Sequence, residues 1–531
     1  MNDLVFLTSL LIVLIYLIIK SKKAMHMLQQ NLYNENNRYL KWINKNKKTV
    51  FLHYDFFFLI IAIFNVILEN KFVLLVSLLI LIYDAYLIRK KSKTEQVKKP
   101  LVITARVKRL IVTTSILYLI PISLMFINST LIYTAFMILG LMTYFNYYIL
   151  LFAKFLNKPV EKCVYRHFYK LATNKLYNSR CEVIGITGSY GKTSSKNILG
   201  DILNVKYMAL KTPRNLNTEY GLMITINNHM DKFDEYFIAE MGAYQKGEIK
   251  TLCDMVKPKY GILTSIGTAH LESFGSEKNI EDTKFELIES LPEDDGIAIL
   301  NMDDEKQSFH DIKNICKKIW IGIKDEEADV RAINIKCTNK GSNFDIIFKG
   351  DKNKYHFETK LLGNNNIYNI LASVALGREL GMTIEELQTG VRKVNKIEHR
   401  LELKQIGNIY MIDDAYNSNP VGAKGALDVL DMMDGTKVVV TPGMIELGEK
   451  QDEYNYEFGK QIAKVADYTI LVGEKITKSI YQGLLDEDYD EEKIIVINDV
   501  KKAFDIINGL KSEKKDIYAL FENDLPDSYN E

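Results

Sequence analysis

The chain has 531 residues, room for about three or four domains. Its 68 Lys and Arg stand against 67 Asp and Glu, so the net charge of +1 gives no hold on a nucleic acid. Five scattered cysteines (Cys163, Cys181, Cys253, Cys316 and Cys337) form no C-x-x-C pair, which disfavours a disulfide framework or a zinc ribbon and fits a reducing compartment.

Apolar residues crowd the first 155 positions. Leu4–Ile19, Phe56–Leu68, Phe72–Ile88, Leu110–Ile127 and Leu131–Phe155 read as about five membrane-crossing helices. The first lacks a basic start and a small-residue cleavage site, so it is expected to stay as an anchor. Lys20–Lys48 and Arg89–Arg109 are rich in cations, whereas the loops at 69–71 and 128–130 hold one lysine between them. The positive-inside tendency then puts the N-terminus outside and everything after Phe155 in the cytosol, as a multi-pass cell-membrane protein. Asp84 lies five residues from a basic cluster and is expected to snorkel to the interface.

From about Val160, short apolar strands alternate with amphipathic stretches, which predicts an α/β region with a mainly parallel sheet. Glu182–Ile186 reads as a strand that enters the turn Thr187-Gly-Ser-Tyr-Gly-Lys-Thr193, with a helix following. Gly188 and Gly191 let backbone N–H groups turn inward. Lys192 supplies a positive point charge, and the Thr193 hydroxyl can ligate Mg²⁺ on a polyphosphate. Ile186 stands where the longer G-x-x-x-x-G-K-[ST] pattern has its first glycine, so the strand-before, helix-after setting carries the assignment. An ordinary surface turn is the bland alternative.

Val183–Ile186, Tyr236–Ala239, Tyr260–Thr264 and Ile297–Leu300 are runs of the kind buried as parallel strands. Glu240, His270, Asn301 and Asp303 follow such runs, at the strand ends where α/β sheets bind ligands. Each alone could be a cap or a solvated loop residue. Together they suggest a shared Mg-nucleotide site. A second α/β unit begins near Ile397, with strands at Tyr410–Ile412, Val438–Thr441 and Tyr468–Val472.

These runs, in this order, resemble the Mur ligase family, ATP-dependent amide ligases of bacterial wall synthesis related to folylpolyglutamate synthases. The resemblance spans about residues 160–510. It rests on Gly185–Thr193, Asn215-Leu-Asn-Thr-Glu-Tyr-Gly221, Glu240–Ala243, Gly247–Ile249, Gly267–Gly275, Lys284-Phe-Glu286, Gly363–Asn369, Arg400, Asp413-Asp-Ala-Tyr-Asn-Ser-Asn-Pro420 and Gly443–Glu449. The branch that adds D-Ala-D-Ala is the most similar. The resemblance implies membrane helices (1–155), a P-loop-type central ATPase domain (156–396) and a Rossmann-like C-terminal α/β domain (397–531).

It also implies roles. Gly188, Ser189, Gly191, Lys192, Thr193 and Ser194 would surround the phosphates of ATP, and Asn369, Asp414 and Arg400 would also contact the nucleotide. Thr193, Glu240 and His270 would hold Mg²⁺, two ions in this family. Lys284 matches a lysine carbamylated by CO₂, and with Lys192, His270 and Arg400 it completes the catalytic set. Asn215, Asn217, Thr218, Tyr416, Asn417, Asn419 and Glu446 would face substrates. A solvated helix lysine and an interdomain salt bridge are the plain alternatives for Lys284 and Arg400.

The implied reaction joins a carboxylate acceptor, a UDP-MurNAc-peptide or a lipid-linked precursor, to an amine donor, an amino acid or dipeptide, through an acyl phosphate. Two features depart from the family pattern. Membrane helices replace the soluble domain that grips the UDP-sugar. The segment beginning Phe521-Glu-Asn-Asp stands where a Lys-Gly-Ser-type run is usual, exchanging a cation for carboxylates. A poly-γ-glutamate synthase-like ligase is the alternative within the superfamily. A nucleotide-driven transporter and a nucleotide-sensing scaffold are the alternatives outside it.

Overall fold

The computed structural model describes residues 2–31, 33, 39–94, 100–125, 131–269, 271–338, 340–415, 418–445, 447–510 and 516–523. His270, Tyr416, Asn417 and Glu446, expected at the site, lie outside the described residues, as does the loop at 128–130. The chain divides into two compact units, Met1–His167 and Phe168–Glu531.

The first unit is helical: α1 Asn2–Gln30, α2 Leu40–Lys45, α3 Lys47–Val50, α4 His53–Leu68, α5 Lys71–Thr94, α6 Ala105–Leu124, α7 Leu131–Tyr144 and α8 Asn146–Tyr177. The boundary expected near 155 falls inside α8. Where five spans were expected, two helices among the described residues are long and apolar enough to cross a membrane, Lys71–Lys90 and Ala105–Leu124, or three if α7 and α8 count as one broken span. That pair bends by 88° at Phe145, so Leu131–Phe155 is not one straight rod. α4, at 16 residues, is apolar but short.

Large apolar side chains point outward on these helices, among them Leu11, Phe64, Leu79 and Leu119. A small cluster of polar and charged side chains is instead turned inward. Tyr16, Lys20, Asp55 and Asp84 are all at most 2% exposed. Lys20 pairs with Asp55 and donates to the Thr143 carbonyl at 2.7 Å, while the Tyr16 hydroxyl lies 2.5 Å from both Asp55 and Asp84. Asp84 is therefore a buried partner of Tyr16 and does not snorkel.

The second unit contains two sheets. The first has nine strands: β1 Glu182–Thr187, β2 Ala209–Lys211, β3 Tyr236–Glu240, β4 Tyr260–Leu263, β5 Ile297–Asn301, β6 Lys317–Gly322, β7 Val330–Thr338, β8 Gly341–Phe348 and β9 Lys354–Thr359. Their spatial order is β2-β3-β1-β4-β5-β6-β7-β8-β9. Pairing is parallel as far as β7 and antiparallel through β8 and β9. Ile184, Ile186, Ile238, Ile262 and Ile299 pack with Ile198 and Leu199 of α9 (Lys192–Leu203) and with Ile367 and Ile370 of the helix Asn364–Glu379. Continuous apolar strands buried on both faces are what a parallel sheet needs.

The second sheet has six strands: β10 Glu402–Ile406, β11 Ile409–Asp414, β12 Thr436–Thr441, β13 Tyr468–Val472, β14 Ile494–Ile497 and β15 Ile517–Glu522. In the order β10-β11-β15-β12-β13-β14 only the β10–β11 pair is antiparallel. Ile412, Val439, Leu471 and Leu520 pack on the helices Pro420–Asp431 and Gln451–Ala463, and Val438, Val440 and Ala519 on the helix Lys501–Gly509. Both expected α/β folds are present, and β15 enters the middle of its sheet from the end of the chain.

Candidate active site

β1 is buried up to Thr187, and the chain then turns sharply before α9 begins at Lys192. Gly188 has φ +148°, and a Cβ there would sit 2.0 Å from Thr264 Oγ1. Gly191 has φ +81° and sits against Asn369, whose Oδ1 would be 3.2 Å from an added Cβ. These two positions need glycine for conformation, and Gly188 also for space. The loop is tied to the segment after β4: Ser189 N donates to the Ser265 carbonyl at 2.7 Å, and Ser189 Oγ to the Gly267 carbonyl at 3.1 Å. Lys192 Nζ donates to the Gly188 and Ser189 carbonyls at 2.6 and 3.0 Å, which holds its ammonium over the loop.

At the second residue of α9, Thr193 Oγ1 donates to Glu240 Oε1 at 3.0 Å. Glu240 ends β3, hydrogen-bonded neighbour of β1, so the sheet itself delivers the carboxylate to the loop. Asn217 Nδ2 donates to the same oxygen at 3.1 Å, and Lys196 Nζ holds Glu240 Oε2 at 2.8 Å. A hydroxyl and a carboxylate oxygen this close form a hard-oxygen pair of the kind Mg²⁺ selects. The residues present therefore fit the expected metal, which Thr193 and Glu240 would hold.

Lys284, near the end of the helix Glu277–Phe285, is 3% exposed and lies over the Phe274 ring at 5.6 Å. Burial, with the charge of Lys192 adding to it, pushes its ammonium down to about 7, against the pull of Glu248 and Glu286. Burial likewise pushes Lys192 down to about 8; Glu240 opposes this and Arg400 adds to it. The charge of Lys192 thus acts on Lys284, and those of Glu240 and Arg400 act on Lys192. Arg400 is presented by a costly turn, since its neighbours His399 and Leu401 both have positive φ, 56° and 48°.

From the other sheet, Asp414 ends β11 and Glu522 ends β15, side by side in parallel register. Burial pushes Asp414 up to about 6 against the pull of Arg400. Burial, and then the neighbouring Asp414, hold Glu522 well above the usual carboxylate range. Arg400 therefore acts on the P-loop lysine and on this acid pair alike. In the same domain a cavity of about 250 Å³ is lined by Pro420, Met444, Tyr454, Glu457, Phe458 and Gln461.

The remaining expected residues divide. Ser194 and Asn369 are buried beside the loop, and Asn217 is in the Glu240 network. Asn215 shares the turn of Asn217, whose N–H donates to its carbonyl, while Thr218 caps α10 (Glu219–His229) by accepting from Gly221 N. Asn419 caps the helix Pro420–Asp431 by accepting from Gly422 N at 2.8 Å. Asp303 accepts from the N–H groups of Ile323, Lys324 and Asp325 and from the Tyr368 hydroxyl, which fixes the loop after β6. Asn301 folds back on the Asp303 N–H at 3.1 Å.

Two residues escaped the sequence reading. Lys196 lies three residues after Thr193, a spacing that puts both on one helix face. Glu522 was visible only as one of several terminal acids. Among the described residues one further trio, Glu281, Asp282 and His310, is close enough to hold a cation. Lysines already occupy it, Lys278 on both carboxylates and Lys246 on Asp282, and His310 is stacked on Phe285.

Residues 186–377 match the Mur ligase middle domain, and residues 399–521 the Mur ligase, glutamate ligase domain. The UDP-N-acetylmuramoyl-tripeptide–D-alanyl-D-alanine ligase of Bacillus subtilis is 28% identical over 328 residues, 61% of this chain and 69% of that protein. The Escherichia coli enzyme of the same name is 31% identical over 297 residues, 55% of this chain and 65% of that protein. Among solved structures, MurF from Acinetobacter baumannii superposes with a TM-score of 0.61 at 26% identity, covering 68% of this chain and 77% of that one. The MurF ligase from Thermotoga maritima in complex with ADP gives 0.60 at 28%, covering 68% and 80%. With a P-loop, a hard-oxygen pair and an arginine from the following domain at one site, the chain belongs to the Mur ligase family of ATP-dependent, ADP-forming ligases.

Proposed function

We propose that this is a membrane-anchored Mur-type ligase that joins D-Ala-D-Ala, or a similar amine, to the terminal carboxylate of a muramoyl peptide. The observation that carries this is the convergence of Lys192, the Thr193–Glu240 pair, Lys284 and Arg400 on one loop. A carboxylate is a poor electrophile, so the acceptor is first converted to an acyl phosphate by ATP. That phosphoryl transfer asks the protein for charge neutralisation more than for covalent work. Lys192 faces the β/γ-phosphates and Arg400 reaches them from the second domain. Gly188, Ser189, Gly191 and Ser194 shape the cradle, and Asn369 and Asp414 bind the nucleoside. Mg²⁺ held by Thr193 and Glu240, with His270 for a second ion, supplies Lewis-acid neutralisation of phosphate charge.

The depressed ammonium of Lys284 supports its carbamylation. Only an uncharged amine adds CO₂, and burial supplies one near neutral pH. The carbamate would replace a buried cation, which Lys192 repels, by an anion that Lys192 attracts.

The outward apolar side chains of α1, α4, α5 and α6 support insertion of the first unit in a lipid bilayer as about five spans, with an outside N-terminus and cytoplasmic catalytic domains. The acceptor is then either the soluble UDP-MurNAc-tripeptide or its lipid-linked counterpart. The test is ADP release by protein in lipid vesicles, given D-Ala-D-Ala with each acceptor, and product mass. ADP and a product dependent on both substrates are expected, with both lost in Lys192→Ala. ATP turnover indifferent to acceptor and amine would refute the proposal.

A further inference from the structure

A buried carboxylate oxygen with nothing to bind is a costly feature to keep. Glu522 is 1% exposed. Its Oε1 accepts from Ser418 Oγ at 2.6 Å, Oε2 is offered no N–H or hydroxyl by the described residues, and the carboxyl's other partner is that of Asp414. Its neighbour in the sheet is Asp414, and the registered pair projects from the same face of adjacent parallel strands.

Other groups fix where this pair sits. Arg400 faces both carboxyls from the turn before β10, and Ser418 faces Glu522 from the loop after β11. Asp413, the remaining acid of that strand end, is engaged by Lys404 and His399 at 2.7 and 2.8 Å. The next residue, Asn523, donates from Nδ2 to the Gly443 carbonyl at 2.6 Å and accepts from Ser418 N at 3.2 Å. Ser418 and Gly443 stand next to the stretches that supply Pro420 and Met444 to the 250 Å³ cavity. The acid pair therefore lies in the field of the arginine that also acts on the P-loop lysine, and the segments that hold it in place continue into two of the residues lining the cavity.

We propose that Glu522, backed by Asp414, receives the ammonium group of the incoming amine and takes its proton before the nitrogen attacks. This rests on the ligase function proposed above. Two adjacent buried carboxyls share one proton and hold a single negative charge, complementary to one ammonium. The pair accepts a proton from R–NH₃⁺ and becomes neutral. The freed lone pair forms the C–N bond at the acyl carbon, the C–O bond to phosphate breaks with its electron pair, and the second nitrogen proton leaves with the phosphate. Burial makes the transfer feasible: an α-ammonium titrates near 8, about four units above an ordinary aspartate but about two above Asp414 at about 6. A lysine at this position could do neither job.

The experiment compares wild type and Glu522→Gln in lipid vesicles, with ATP, UDP-MurNAc-tripeptide and either D-Ala-D-Ala or hydroxylamine. Hydroxylamine is uncharged at neutral pH and traps the acyl phosphate as a hydroxamate, so it needs no proton acceptor. The ratio of dipeptide product to hydroxamate should fall by about tenfold in the variant at pH 7, where only about a tenth of an amine titrating near 8 is free. The defect should disappear by about pH 9, as solvent supplies free amine. Loss of both products in equal proportion, or an unchanged ratio, overturns the proposal. Absence of any hydroxamate in wild type with either a soluble or a lipid-linked acceptor overturns the ligase function itself, and this inference with it. If Glu522→Gln does not fold, Ser418→Ala, which removes the hydroxyl orienting the carboxylate, must shift the same ratio in the same direction.

Discussion

Lys196→Met separates the structural from the catalytic cost of this site. Lys196 and Glu240 are each 1% exposed and joined at 2.8 Å. Removing one partner of a buried ion pair leaves an uncompensated charge, at about 3–5 kcal/mol. Glu240 keeps its bonds from Thr193 and Asn217, which places the loss toward the lower figure. The ammonium's bond to the Arg214 carbonyl, 2.5 Å, is also lost and adds about 1 kcal/mol. The expected destabilisation of the second unit is thus about 4 kcal/mol. Trp320 lies in β6 of the affected sheet, so urea unfolding followed by its fluorescence in a Trp42→Phe background reads the right domain. Lys196→Met with Glu240→Gln should recover most of the loss. Mg-ADP should stabilise Lys196→Met more than wild type, because a cation then replaces the missing ammonium on Glu240. A loss below about 1 kcal/mol, or full additivity of the two substitutions, would refute the reasoning.

Lys284 makes stability depend on pH. Its ammonium is pushed down to about 7 when folded and returns to about 10.4 when unfolded, so between those values the unfolded chain binds more protons. Stability must then rise with pH, by about 2 kcal/mol from pH 7 to 9. In CO₂-free buffer, Lys284→Met should flatten the wild-type urea-midpoint profile by that amount, and an unchanged slope would refute it. In the helical unit, Lys20→Met should cost about 3–5 kcal/mol by stranding Asp55, and Lys20→Met with Asp55→Leu should restore most of it, measured by thermal unfolding in detergent.

What could be foreseen in the sequence was local, and what could not depends on distant partners. The loop Thr187–Thr193 was legible because a strand, two glycines and Lys-Thr fix its geometry within a few residues. β1, β3, β4, β5, β11, β12 and β13 were legible because burial on both faces makes their runs continuously apolar. β8 and β9 alternate buried and exposed positions at the antiparallel edge of the sheet, so a search for apolar runs passes over them. The helical unit shows the same limit. Its apolar content was plain, but the bend at Phe145 has no proline or glycine to announce it. Lys20 looked like one more cation at a helix end, yet its carboxylate lies 35 residues away in sequence, on α4. Glu522 is the sharper case. Its meaning comes from Asp414, more than 100 residues earlier, because β15 inserts between β11 and β12. The sequence marks the segment from Phe521 as carboxylates in place of a cation, but only the topology carries Glu522 into the centre of a sheet, in the field of the arginine that acts on the P-loop lysine. Parallel topology converts separation along the chain into adjacency at strand ends, so the chemistry of such a site is decided by residues that no local motif contains.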